Sequence, residues 1–148
     1  MKKILFVCVV TLLTFSAIAQ NATPLLSNYI KVKNALVNGE GKVAAEAATA
    51  LQKSIQESTA FAQKENLQNA VNKLVAAKNI EKQRIAFTDV STLMWAFVKG
   101  NTAVKEEVFY QYCPMKKAYW LSTEKEIRNP YYGASMLECG KVDRKSVV

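Results

Sequence analysis

Four sulfur-bearing residues in the C-terminal third carry the chemistry available to this chain. Cys113 and Met115 are two positions apart, and Met136 and Cys139 are three apart. Two apart on an extended segment, or three apart on a helical turn, puts both side chains on one side. Each pair therefore offers a thiol and a thioether from one short element. If the two elements meet, two thiolates and two thioethers surround one point. That donor set is soft and selects copper(I) over hard or borderline ions. The chain has no histidine, so zinc and copper(II), which lean on imidazole, are poorly served. The same absence removes the Ser-His-Asp and Cys-His nucleophile arrangements. No catalytic residue is assigned, and no enzyme is expected.

A Cys113–Cys139 disulfide competes with the metal site. The loop it closes is worth about 3.5 kcal/mol by chain entropy. Spacing does not separate the two readings, because both need the cysteines close together. A methionine two or three residues from each cysteine favours the metal. The aromatic neighbours Tyr112, Trp120 and Tyr131 would screen such a centre from water. They could instead line an apolar pocket for a small ligand.

The N-terminal stretch sets the compartment. Lys2 and Lys3 precede a nearly apolar run, Ile4 to Phe15, and Ala17-Ile18-Ala19 follows. This is the order of a cleaved secretory signal, with the cut expected after Ala19 and Cys8 lost with it. An exported chain is expected, periplasmic or secreted. Its two remaining cysteines are an even count, as disulfides require. The formal charge of +8 falls to +6 without Lys2 and Lys3. Export and the scattered lysines argue for a solvated basic surface rather than nucleic-acid binding.

Stepping along the chain, residues 20–142 read as one domain: a helical bundle over 23–99 and a Cys-Met segment over 106–142. Residues 143–148 read as a frayed tail. Thr23-Pro24 is expected to open the first helix. Its apolar positions from Leu25 to Val37 recur at helical spacing, with Lys33 as the exception, until Gly39 and Gly41 end it. A second, alanine-rich helix runs from Lys42 with an inner stripe of Val43, Ala47, Leu51 and Ile55. Gln63 to Asn66 reads as a turn, and Leu67 to Val75 as a short third helix. Asn79 caps a fourth, with Ile80, Phe87, Val90, Met94 and Phe97 on its seam. Met94 and Trp95 are read as packing residues. The fold class expected is all-α, an up-down four-helix bundle. Its C-terminal segment is irregular, with an extended stretch at Val108–Tyr112 and short helical turns. One turn is expected from a Thr123/Glu126 capping box and another over Ser135–Glu138.

The strings YQYCPM, AYWLS, EIRNPYYG and ML-x-CG, with NYIKVKNALVNG and KQRIAF nearer the N-terminus, resemble the domain of unknown function 3347 family. The resemblance transfers no activity. It implies an exported protein of a kind found alone and fused to periplasmic adaptor subunits of heavy-metal efflux pumps. It therefore implies a role near copper or silver export, with an efflux adaptor or another copper protein as partner. Cys113-Pro114-Met115 also resembles the Cys-Pro-Met of small heavy-metal-binding segments, but Lys116 stands where those carry histidine.

Overall fold

The computed structural model describes the backbone of residues 16–146 and the side chains from Ala22 to Ser146. The expected leader therefore lies largely outside the described residues, Cys8 included. Four helices come first: α1 (Ser16–Asn38), α2 (Gly41–Glu57), α3 (Lys64–Val75) and α4 (Ile80–Val98). Three strands follow, β1 (Phe109–Cys113), β2 (Ala118–Ser122) and β3 (Lys141–Lys145), with a 3₁₀ turn at Gly133–Met136. The fold is mostly helical but not all-α. Its C-terminal third is built on an antiparallel sheet of order β2-β1-β3.

The helices follow from their apolar spacing. Ala44, Ala47, Ala48, Leu51 and Ile55 bury one face of α2, and Leu67, Ala70, Val71 and Leu74 bury one face of α3. Val43 sits just off that stripe and stays 47% exposed. Each helix packs on the next in sequence, and α1 also touches α4. Asn79 caps α4 as expected, its Oδ1 accepting from Lys82 N–H at 2.9 Å. Gly39, at φ +80°, ends α1, with Gly39 N–H on Leu36 O and Glu40 N–H on Ala35 O. These are the two bonds of a Schellman turn.

Two helix starts differ from the sequence expectation. Pro24 does not open α1 but lies inside it. An interior proline forfeits one backbone bond, and the burial of Ala22, Leu25 and Leu26 on both sides of it holds the helix together. α3 begins three residues early, at Lys64, because Gln63 takes up the left-handed turn at φ +66°.

Lys33, the exception on α1, is 2% exposed. Burial lowers its pKa, and nearby Arg128 adds to this against the opposing pull of Glu124. No ion pair reaches it among the described residues.

The sheet docks on α4 and α1 through buried hydroxyls and rings. Tyr29 is fully buried, its hydroxyl 2.7 Å from Ser91 Oγ and accepting Leu121 N–H at 3.0 Å. One side chain thus ties α1, α4 and β2. Trp95 of α4 stacks on Tyr110 of β1 at 4.6 Å, Tyr110 on Tyr119 at 4.5 Å, and Tyr119 meets Tyr112 at 4.6 Å. The tail expected to fray from Asp143 instead forms most of β3, paired to β1. All five of its residues are exposed, so backbone hydrogen bonds rather than side-chain burial hold it. The expected helical turn after Thr123 is absent. Residues 123–126 bend instead, and buried Gln111 Nε2 donates to the carbonyls of Glu124, Lys125 and Glu126 at 3.1, 3.1 and 3.2 Å.

Candidate metal centre

Cys113 is the last residue of β1, opposite Ala118, and is fully buried. Strand alternation puts its side chain on the same sheet face as Gln111 and, across the ladder, Trp120. Trp120 is fully buried there and meets Tyr131 edge-on at 6.1 Å. Tyr131 is itself buried and donates its hydroxyl to the Tyr119 carbonyl. Burial drives its pKa upward, with hydrogen bonds from Ser91 and Thr88 pulling the other way. It stays a neutral phenol. Tyr112, one residue before Cys113, presents its ring to the opposite face, where it packs on Tyr119.

Cys139 reaches the site through the Asn-Pro-Tyr-Tyr-Gly stretch, residues 129–133. Asn129 is fully buried and organises this loop. Its Nδ2 donates to the Cys139 carbonyl at 2.7 Å and its Oδ1 accepts Tyr131 N–H at 2.8 Å. Its backbone N–H bonds Leu137 O, and its own carbonyl accepts Gly133 N–H. Gly133 has φ +56°, and a Cβ there would lie 2.8 Å from both Arg84 Nη2 and Val37 O. Arg84 fills that corner, donating to Pro130 O at 3.0 Å and Leu36 O at 3.1 Å. The loop is thus anchored to the C-terminal end of α1. Gly140 then passes so close to the sheet that a Cβ would meet Trp120 at 2.8 Å and Tyr112 O at 3.0 Å.

The two thiols end 4.0 Å apart, neither bonded to the other. Cys139 is half-buried. Its sulfur faces Cys113, and its own N–H bonds the Met136 carbonyl at 3.1 Å. Desolvation, and next the Cys113 thiol beside it, push the Cys139 thiol up, while the Met115 N–H pulls it down.

The methionines differ. Met115 is not on the strand, so strand alternation does not orient it. It lies in the Pro114–Lys117 turn between β1 and β2 and is 64% exposed. Met136 ends the 3₁₀ turn and is half-buried. Among the described residues, no three of histidine, cysteine, aspartate and glutamate come together.

Asn129, Gln111 and Arg84 are the positioning residues that spacing does not single out. Asn129 carries one signal, the turn-forming Asn-Pro pair, but its hold on Cys139 is a tertiary contact. The aromatic residues stack on one another. A cleft of about 150 Å³ lies elsewhere, lined in part by Val98, Asn101, Val104 and Ser146.

A family model described as a protein of unknown function, DUF3347, matches residues 25–106. The match begins inside α1, takes in α2 to α4 and stops before β1, so it does not include the thiol pair. No curated protein and no solved structure matches the chain.

Proposed function

The chain belongs to the DUF3347 family, and from that premise we propose that it is an exported soft-metal module. It would hold one copper(I) ion on Cys113 and Cys139 and buffer or deliver it beside an efflux system. The observation that carries this reading is the approach of the two thiols, Cys113 and Cys139, to 4.0 Å, with Met136 one turn before Cys139. With metal–sulfur bonds of about 2.3 Å, as for thiolate on zinc, sulfurs 4.0 Å apart subtend an angle of about 120° at the ion. That is the angle of a three-coordinate centre, with room for one thioether beside the two thiolates. Thiolate and thioether donors in a histidine-free chain suit copper(I). Export rests on the leader pattern, and an efflux adaptor as partner rests on the family resemblance. No catalysis is assigned.

One observation favours a second reading, a disulfide staple with no metal. The same 4.0 Å separation needs only about 2 Å of approach to form an S–S bond. The bond would close a separation of 26 residues, worth about 3.5 kcal/mol.

Native mass spectrometry of the reduced protein with copper(I), beside a thiol count on protein taken from its compartment, separates the two. One ion per chain, lost in Cys139→Ser, is expected. Free thiols with no bound ion overturn the metal reading, and no free thiols with no ion after reduction leave the staple.

A further inference from the structure

Three of the four sulfur residues are graded from core to solvent. Cys113 is fully buried, Cys139 half-buried, and Met115 64% exposed. Inward, Trp120, Tyr131 and Ala118 close the Cys113 side, each at most 3% exposed. The most exposed of these three residues, Met115, lies on the β1–β2 turn. Packing gives no account of Met115. Burial would stabilise a methionine, and this one forgoes it. It nonetheless lies two residues past Cys113, whose thiol is 4.0 Å from Cys139.

The same turn is basic. Lys116 and Lys117 follow Met115, both exposed, and Lys117 holds the left-handed conformation at φ +51°. Lys116 leans over the Tyr132 ring at 5.6 Å, toward the loop that carries Cys139. Lys141, two residues past Cys139, is exposed and pairs with Tyr112 on β1. Glu138 is the one carboxylate in these two segments. Three lysines against one carboxylate make a positive rim around the exposed thioether.

We propose that the β1–β2 turn is the docking face through which the ion is exchanged, with Met115 as the relay donor and an acidic, soft-donor protein as partner. This rests on the soft-metal reading above and adds the route and the partner's charge. The ion enters as Cu⁺ while the thiols give up their protons, and it leaves as those protons return. No electron moves. A basic rim raises the encounter rate with an anionic acceptor at low salt, and at 1 M salt the Debye length of about 3 Å removes the effect.

The test uses the full chain loaded with copper(I) and two small-molecule copper(I) chelators of similar affinity, one anionic and one neutral, mixed in a stopped flow. Transfer to the anionic chelator is expected to be about tenfold faster at low salt than at 1 M salt. Lys116→Gln with Lys117→Gln should sharply reduce that salt dependence and leave transfer to the neutral chelator unchanged. Met115→Leu should slow transfer to both chelators while the loaded protein keeps one ion. A wild type that loads but hands over at salt-independent rates, or a Met115→Leu protein as fast as wild type, overturns the docking face and leaves the metal site standing. A wild type that never loads overturns both.

Discussion

Asn129→Ala cuts the link between the loop and the thiol pair without touching a sulfur. It removes two hydrogen bonds, of 2.7 Å to the Cys139 carbonyl and 2.8 Å to Tyr131 N–H. Both form on a side chain with no exposed surface. A buried group left without its partner costs about 1–3 kcal/mol, so two orphaned groups cost about 2–6 kcal/mol. Water admitted to the gap brings the figure toward the lower end. Urea unfolding of the reduced protein reads this as a lower midpoint at unchanged slope. Asn129→Asp keeps an acceptor for Tyr131 N–H but sets a carboxylate oxygen against the Cys139 carbonyl. It should fall between wild type and alanine at high pH and move toward wild type as the carboxyl protonates and regains a donor. Asn129 also sets where Cys139 sits, and outer-shell losses of this kind weaken metal binding about 10–100-fold. An Asn129→Ala protein that loses less than about 0.5 kcal/mol, against the 2 kcal/mol minimum from two orphaned groups, and binds copper(I) as wild type does would refute the role given to this residue.

Other perturbations have equally definite outcomes. Tyr29→Phe orphans Leu121 N–H and takes one partner from the Ser91 hydroxyl, and should cost about 1–3 kcal/mol, read by thermal or urea unfolding. Lys33→Met should raise stability at neutral pH. The buried ammonium has a lowered pKa, so the unfolded chain binds its proton more tightly. Wild-type stability should then rise with pH from Lys33's folded pKa toward its ordinary value, a slope the methionine variant lacks in a pH series of unfolding curves. Copper(I) binding must displace the Cys139 proton, which burial and the Cys113 thiol hold more tightly than usual. Affinity should therefore fall about tenfold per pH unit for that proton alone as the pH drops, measured by competition with a chelator of known pH dependence.

The helices were readable because each buries a stripe at a regular spacing and two ends carry local chemistry, the Asn79 cap and Gly39. Pro24 misled because a proline can be tolerated inside a helix whose flanking side chains are buried, and burial is not a local property. The sheet was half visible. Val108–Tyr112 has the aromatic, β-favouring character of a strand. Ala118–Ser122 shows only as an apolar patch, because its register with β1 is a long-range fact. β3 gave no signal at all, since Lys141–Lys145 buries nothing and is held by main-chain bonds. The closeness of Cys113 and Cys139 followed from chemistry that needs them together. The route by which they meet did not, because it runs through Asn129, Arg84 and Gly133, which make their contacts with groups far away in the chain. Met115 was placed with Cys113 by strand alternation, but Pro114 ends the strand first, and the thioether turns to solvent.

X-ray absorption at the copper edge of the reduced, copper(I)-loaded protein tests the sulfur centre most directly. The account predicts two or three sulfur neighbours at about 2.2–2.3 Å, close to thiolate–metal distances, with the signal lost in Cys113→Ser. Nitrogen or oxygen neighbours, or protein with both thiols free that retains no copper, would contradict it.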